Sequence, residues 1–313
     1  MGKERKHTGS REQRHPEKRP VTFKVTREDE LMTFLIASLP GKNRNNIKTL
    51  LKRRQIIVNG KAITQFNHRL YPGNEVEIFH HRVRNAPELK GVNIVYEDQD
   101  VIVVNKRPGL LSVATDREKW QTVSRMVQNY ISSDDSGGRI YSIHRLDRET
   151  SGLLLFAKNR EACDLLKEEW ASAIGKQIYL AVVEGIPNPE KGTYSSYLSI
   201  DANYVVHSSS TSAHDGKLAT TEYKILRKNE TYSVLEVGMQ PGIKNQIRVQ
   251  LKELGYPVVG DRKYGSTNSP MLRLGLHCRK LVFTHPSSQK SMSFETAVPG
   301  KFLKLMSLSS QDF

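Results

Sequence analysis

Residues 144–158 have the sequence HRLDRETSGLLLFAK, and this stretch decides the fold of the chain. Its apolar second half predicts a buried strand from Leu153 to Lys158. Its charged first half sets the carboxylate of Asp147 just before that strand, where burial without a partner would cost free energy. On these residues alone, Asp147 either caps a turn or performs chemistry. A serine nucleophile at Ser151 is disfavoured because the GxSxG motif is lacking.

Strands continue on both sides of this stretch, across residues 84–313. Periodicity predicts two helices, near Glu161–Ala173 and Asn245–Gly255. It also predicts six strands, which are Asp100–Asn105, Leu153–Lys158, Gln177–Glu184, Thr220–Arg227, Tyr232–Met239 and Lys280–His285. Because strands mostly follow strands, the sequence predicts an α+β domain with a mixed, largely antiparallel β-sheet.

Residues 21–83 predict a separate, small α+β domain. Two short amphipathic helices are expected, the second near Asn46–Arg54. Ile56-Ile57-Val58 then precedes Asn59-Gly60, the dipeptide favoured in tight hairpin turns. Residues 1–20 hold very few apolar side chains and predict a disordered basic tail, which either contacts phosphates or only aids solubility.

The charge of the chain favours a polyanionic partner. Lys and Arg outnumber Asp and Glu by 48 to 33, which gives a formal net charge of +15. Between Gly41 and Tyr71 the chain has eight basic residues and no acidic one, an imbalance that a general solvated surface would not show. Nucleic acid is the first candidate partner, and an anionic membrane surface is the second.

Two further features narrow the class of protein. The two cysteines, Cys163 and Cys278, lack the spacing of a zinc site or a disulfide framework, so no metal is predicted. No apolar run approaches the roughly 18–20 residues of a membrane span, and the first residues are too polar for a signal peptide. We therefore expect a cytoplasmic protein with no membrane association.

Two segments carry resemblances to known families. The segment from Asp29 to Phe79, with RQIIVNGKAI near its centre, resembles an S4-type RNA-binding domain. HRLDRETSGLLLFAK resembles the signature of the RluA-type pseudouridine synthases, and further pieces follow in family order. These are NKRPG from Asn105, KQIYLAVVEG from Lys176, the segment Gly242–Gln250, LGYPVVGDRKYG from Leu254 and LHCRKLVFTHP from Leu276. Together they span nearly all of the larger domain.

The resemblance implies a pseudouridine synthase fold and three catalytic residues. Asp147 matches the aspartate that attacks or deprotonates the target ribose, so that the base–sugar bond breaks at N1 and re-forms at C5. Tyr179 matches the tyrosine that stacks on the base and is proposed to help remove the C5 proton. Arg248 matches the basic residue that pairs with the aspartate, and such a pair favours the ionised carboxylate.

The resemblance also implies RNA contacts. Because the target base must leave its stack, Arg145 is expected to fill the vacated place, although a plain phosphate contact is the alternative. The other implied RNA-binding residues are His144, Lys176 and Gln246 in the larger domain, and Arg44, Lys48, Lys52, Arg53, Arg54 and Lys61 in the S4-like domain. No cofactor is implied, because isomerisation needs no redox partner or group donor and the sequence has no Gly-rich phosphate loop.

One segment departs from the family pattern. The family usually shows G-R-x-H-Q-I-R-x-H, where this chain has Ile243 in place of an arginine and Asn245 and Gln250 in place of histidines. Arg248 is retained, so the chemistry that the resemblance implies is still expected, whereas the family's RNA contacts and target choice are not carried over from this segment.

We therefore predict a monomeric enzyme that isomerises uridines in structured RNA, most readily 23S-type ribosomal RNA of the large subunit, with transfer RNA as the alternative substrate. A non-catalytic RNA-binding or ribosome-assembly factor is the alternative class. A glycosidase-like hydrolase is disfavoured because Glu149 is the only carboxylate close to Asp147 in sequence.

Overall fold

A computed structural model describes residues 20–52, 55–78, 89–116, 118–132, 138–172, 175–212, 215–307 and 310–312. The chain divides into two compact units, Met1–Ala86 and Pro87–Phe313. The sequence predicts this boundary between residues 83 and 84. The predicted basic tail falls on residues 1–20, of which only Pro20 lies within the described residues.

The described residues of the smaller unit form six short strands and two helices. The strands are β1 (Val21–Lys24), β2 (Asp29–Glu30), β3 (Ile56–Val58), β4 (Lys61–Ala62), β5 (Arg69–Leu70) and β6 (Glu75–Ile78), and the helices are α1 (Leu31–Ser38) and α2 (Arg44–Lys52). An antiparallel sheet has the order β1-β6-β3-β4, and β2 pairs with β5. Both helices contribute to the apolar core, with Leu31, Leu35 and Ile47 fully buried.

The hairpin between β3 and β4 follows directly from Asn59-Gly60. Both residues have positive φ, 49° and 77°, as the tight turn requires, and Asn59 Oδ1 also accepts a hydrogen bond from the backbone N–H of Glu75. Arg44 and Lys48 are exposed on α2, and Lys61 is exposed on the hairpin. Arg53, Arg54 and the side chain of Lys52 lie outside the described residues.

The larger unit is built on one extended sheet. Its strands are β7 (Val92–Glu97), β8 (Val101–Lys106), β9 (Tyr141–Ser142), β10 (Ser151–Ala157), β11 (Lys176–Glu184), β12 (Lys191–Ile200), β13 (Val206–Ser209), β14 (Lys217–Lys228), β15 (Tyr232–Gln240), β16 (Leu276–Thr284) and β17 (Ser291–Glu295). The helices are α3 (Val123–Ser132), α4 (Arg160–Ala171), α5 (Gln246–Glu253) and α6 (Gly300–Met306).

The strand order is β13-β12-β14-β15-β11-β16-β10-β8-β7, with β17 beside β16 and β9 beside β10. β10 and β16 run parallel, while the other pairs of these strands are antiparallel. The predicted mixed, largely antiparallel α+β fold is therefore confirmed. Among the described residues, no helix is long and apolar enough to cross a membrane.

Several elements escaped the sequence prediction. β12 and β17 are half exposed, and Ser, Thr and Lys fill much of β12 while β17 has only five residues, so both carry little apolar signal. α3 is different, because its buried Val123, Val127 and Tyr130 stand at helical spacing that the sequence already contained. α2 begins at Arg44 rather than Asn46.

The strand predicted from residues 153–158 is present as β10, a fully buried strand of this sheet. All seven residues of β10 are buried. Its second residue, Gly152, has φ +116°, and a Cβ added there would lie 2.1 Å from the carbonyl oxygen of Cys278 on β16. Only glycine allows this close approach, so Gly152 fixes the parallel contact between β10 and β16 at the end of the Asp147 loop.

A buried polar network ties the same strands together. Ser151 Oγ lies 2.8 Å from His277 Nδ1, and His277 Nε2 lies 2.8 Å from Thr296 Oγ1. Arg273 Nη2 also donates to Ser151 Oγ, at 2.7 Å. Burial, and then the charges of Arg273 and Arg279, lower the pKa of His277 to about 3. His277 is therefore neutral in the folded protein, and Ser151 is a structural residue.

This pKa predicts a loss of stability in mild acid. Unfolded His277 takes up a proton below about pH 6.5, whereas the folded protein binds it only near pH 3, so protons favour the unfolded chain between these values. Between pH 7.5 and pH 5 the difference is about 2 kcal/mol. Urea unfolding followed by tryptophan fluorescence should show this part of the acid loss disappearing in His277→Gln. Both tryptophans, Trp120 and Trp170, belong to the larger unit. Equal acid losses in variant and wild type would contradict a buried neutral His277.

Candidate active site

Asp147 sits in the loop between β9 and β10, and this loop is fastened on both sides of the aspartate. Before it, Ser112 Oγ donates to the carbonyl of Leu146 at 2.7 Å and accepts from the N–H of the same residue at 3.0 Å. After it, Lys106 Nζ donates to the carbonyl of Arg148 at 2.9 Å. The backbone at Asp147 is therefore held in one position.

Lys106 is fully buried, which is unusual for a lysine. Its Nζ also donates to the carbonyl oxygens of Leu110, at 2.8 Å, and Arg107, at 3.2 Å. Burial lowers the pKa of Lys106 to about 7, against the opposing charges of Glu149 and Asp147. The ammonium thus joins the Asn105–Gly109 motif to the Asp147 loop.

Arg248 projects from α5 and bridges two carboxylates. Its Nη1 donates to Asp147 Oδ2 at 2.9 Å, and its Nε and Nη2 each donate to an oxygen of Asp261 at 2.7 Å. The Asp261 side chain is 1% exposed, Arg248 13% and Asp147 20%. Burial disfavours the charged form of Arg248, but Asp261 and then Asp147 outweigh it and raise its pKa above the ordinary value.

Tyr179, on β11, lines the same small cavity as Asp147 and Arg248. Its ring is buried, and its hydroxyl donates to Gln177 Oε1 at 2.7 Å. Burial, with smaller effects from Cys278 and Asp147, raises the pKa of the phenol well above its ordinary value. The three residues predicted to be catalytic therefore meet in one cavity.

The cavity around Asp147 is small, about 50 Å³, and it adjoins a larger one of about 720 Å³. Arg145, Met239 and Gly242 line both. Ligand cavities typically measure about 300–1,000 Å³, so a nucleotide can occupy the larger cavity directly but reaches Asp147 only when the lining side chains move.

Arg145 and Lys176 are exposed and line the larger cavity, where both can meet a phosphate or a base. His144 also lines the larger cavity but is half-buried, and Gln246 is buried. The His144 ring stacks on Trp170 with 5.5 Å between centroids, and its Nε2 accepts from the backbone N–H of Leu155 at 3.2 Å. Burial lowers the pKa of His144 to about 3, so the ring is a neutral support of the loop.

Gln246 is 1% exposed and fastens the start of α5. Its Oε1 accepts from the N–H groups of Gly242 and Ile243, and its Nε2 donates to the carbonyl oxygens of Thr220 and Gln240. A fully engaged, buried amide favours a structural role over the predicted RNA contact, because freeing it would leave buried polar groups without partners.

The two residues that replace family histidines also point inward. Asn245 Oδ1 accepts from Arg248 Nη1 at 3.1 Å, and its Nδ2 donates to the hydroxyl of Tyr264 at 2.9 Å. Gln250 Nε2 donates to Ser196 Oγ and to the carbonyl of Ala219. Both side chains are buried, so the substitutions act first on the packing of α5.

Sequence reasoning missed Asp261, Lys106 and Ser112. Asp261 and Lys106 belong to the GDRKYG and NKRPG motifs. A single charged residue in such a motif has no periodicity that identifies its partner in the folded protein. Glu149 is the carboxylate closest to Asp147 in sequence. In the structure, Asp261 is the carboxylate that shares Arg248 with Asp147.

Fold and site together define a class, an α+β enzyme of pseudouridine synthase type. The human protein RNA Pseudouridylate Synthase Domain Containing 4 superposes with a TM-score of 0.57 and 20% identity over 69% of this chain and 94% of that one. The family model for RNA pseudouridylate synthases matches residues 100–253.

Whole-chain relatives extend this result. An uncharacterised RNA pseudouridine synthase of Aquifex aeolicus is 31% identical over 92% of this chain and 96% of that protein. Ribosomal large subunit pseudouridine synthase D of Neisseria meningitidis serogroup B is 30% identical over 89% and 78%, respectively. The chain belongs to the RluA-type RNA pseudouridine synthase family and is an isomerase that acts on RNA.

Asp261 is predicted to be a positioning residue for Arg248. Asp261→Asn replaces one acceptor oxygen with an NH₂ group that faces the guanidinium, so Arg248 should lose its fixed orientation toward Asp147. We expect kcat for pseudouridine formation to fall at least about tenfold, which is ~1.4 kcal/mol, with KM for RNA little changed. The exposed neighbour Arg262 offers the control Arg262→Ala, which should keep kcat. A rise in KM with kcat intact would show that Asp261 serves RNA binding instead.

Proposed function

We propose that this enzyme isomerises uridines of large-subunit ribosomal RNA, with Asp147 as the catalytic carboxylate. The observation that carries the catalytic assignment is the 2.9 Å hydrogen bond from Arg248 to Asp147 inside a cavity that Tyr179 also lines. The arginine orients the carboxylate, which can attack the ribose or remove a proton from it.

The reaction needs a bond to break and another to form at the same sugar carbon. Asp147 acts on the ribose as the bond to N1 breaks, the detached uracil turns, and C5 bonds to the sugar. C5 then loses its proton and N1 takes one up, so the product is an isomer of the substrate. Arg248 donates a hydrogen bond to the carboxylate and keeps it oriented throughout. The fastened loop contributes by holding Asp147 at one distance from the sugar.

Tyr179 is better suited to hold the base than to remove a proton. A buried phenol with a raised pKa stays neutral near pH 7, and its hydroxyl already donates to Gln177. We therefore assign Tyr179 to stacking on the base and not to removal of the C5 proton. Proton removal from C5 then falls to another group.

Two observations support ribosomal RNA as the substrate. The Neisseria relative is named for the large ribosomal subunit. The smaller unit, which we take to be S4-like, exposes Arg44 and Lys48 on one helix and Lys61 on the adjoining hairpin. Such basic groups bind phosphates and position an enzyme on structured RNA without reading its sequence.

Transfer RNA remains the alternative substrate, and a non-catalytic assembly factor the alternative class. Pseudouridine mapping of total RNA from cells with and without the protein separates all three. Loss of a site in large-subunit RNA supports the proposal, and loss in transfer RNA supports the other substrate. An unchanged map would favour the assembly factor.

Replacing Asp147 tests the catalytic assignment. Asp147→Asn removes the charge and keeps the shape, so pseudouridine formation should be abolished while RNA affinity stays near that of the wild type. Glu149→Gln is the matched control, because Glu149 is exposed two residues away, and it should remain active. Turnover of Asp147→Asn within tenfold of wild type would disprove the role given to Asp147.

The smaller unit can be tested through the salt dependence of binding. Each phosphate contact contributes about 0.7–0.9 to the slope of log affinity against log salt. Changing Arg44, Lys48 and Lys61 together to alanine should therefore lower the slope by about 2–3. The control replaces three exposed lysines of the larger unit, Lys167, Lys191 and Lys217. Equal effects of both triple variants would mean that the basic helix only adds general charge.

A further inference from the structure

A tyrosine with an exposed ring stands at the turn between β12 and β13. Tyr204 is 68% exposed and has φ +61°, a left-handed conformation that a bulky residue rarely adopts. Its conformation is fixed from within the turn. Asp201 Oδ1 accepts from the N–H groups of Asn203 and Val205, and the carbonyl of Asp201 accepts from the N–H of Tyr204. A strained backbone thus holds an aromatic ring out in solvent.

Two lysines fasten this tyrosine from outside the turn. Lys244 Nζ donates to the carbonyl of Tyr204 at 3.2 Å, and Lys263 Nζ donates to the same oxygen at 3.3 Å. Lys244 Nζ also lies 5.2 Å from the centroid of the Tyr204 ring. The ring is therefore bordered by positive charge, an arrangement that suits a strand of nucleic acid.

The turn is also joined to the catalytic residues. Lys244 lines the Asp147 cavity, so Tyr204 stands one side chain away from it. The hydroxyl of Tyr264 accepts from the N–H of Val206, at the start of β13, and from Asn245 Nδ2. The ring of Tyr264 faces the guanidinium of Arg248 at 5.1 Å. The position of Tyr204 is thus set by the residues that set Arg248.

We propose that Tyr204 is a stacking platform for an unpaired RNA base next to the target uridine, with Lys244 and Lys263 beside its phosphate. Extruding a uridine into the Asp147 cavity unstacks its neighbours, and an exposed ring at the rim gives one of them a new stacking partner. The proposal rests on the assignment of the Asp147 cavity as the catalytic site. Arg145 lines both cavities and can contact the RNA there. Tyr204 gives the RNA a second contact, which lies outside the Asp147 cavity.

The test compares RNA with and without bases. Full-length protein is titrated with a single-stranded oligouridylate of ten nucleotides and with an abasic ribose-phosphate strand of the same length. Tyr204→Asn removes the ring but tolerates positive φ, so the turn is kept. We expect it to weaken oligouridylate binding about 5- to 150-fold, as loss of one base–aromatic stack implies, and to leave abasic binding unchanged.

Two further variants secure the interpretation. Tyr204→Phe keeps the stacking face and should bind like the wild type. Ile200→Ala removes a half-exposed apolar side chain from the same hairpin and should also bind like the wild type. Unchanged oligouridylate affinity in Tyr204→Asn, or equal losses for both strands, would overturn the proposal. Affinity needs no turnover, so this failure is distinct from an active Asp147→Asn enzyme, which would overturn the catalytic assignment.

Discussion

The structure of the site depends on one buried cation shared by two carboxylates. Arg248 lies between Asp147 and Asp261, and its removal alone would leave two carboxylates without their cation in a poorly hydrated place. Asp261 is the most buried of the three and receives two hydrogen bonds from the guanidinium. It anchors the arginine, and the remaining Nη1 is directed to Asp147. The geometry of Asp147 is therefore set from α5 as well as from its own loop.

Bringing these groups together requires close packing across the sheet. Asp147 and Arg248 are 101 residues apart in sequence. The distance closes because α5 packs on β12 to β15 and the sheet continues from β15 through β11 and β16 to β10. Gly152 makes the contact between β16 and β10 possible, since any side chain would collide with the backbone of Cys278. Lys106 and Ser112 then fix the loop from β8 and the residues after it. The Thr150-Ser151-Gly152 sequence thus serves both the strand contact and the approach of the carboxylate.

The sequence predicts what is periodic or local and misses what depends on distant contacts. β10, α5 and the Asn59-Gly60 hairpin follow from apolar spacing and turn chemistry. The resemblance supplied Asp147, Tyr179 and Arg248, which the structure brings into one cavity. The burial of Gln246 and the stacking of His144 on Trp170 could not be seen, because a polar residue in a motif has the same letter whether it faces solvent or the protein interior. Asp261 was hidden for the same reason.

Burial separates the residues assigned to chemistry from the residues suited to RNA contact. Asp147 and Arg248, the charged groups assigned to chemistry, are held by the hydrogen bond between them. Replacing either side chain removes this bond, so these two positions tolerate little substitution. Residues suited to RNA contact, such as Arg145 and Lys176, are exposed and joined to the scaffold mainly through their own backbone. Asn245 and Gln250 are buried, although the family has histidines at these two positions. Their amide Nδ2 and Nε2 groups donate to Tyr264 and Ser196 within the protein. Differences in target between relatives are therefore to be sought at the exposed rim of the cavities, where a side chain can change without disturbing Arg248.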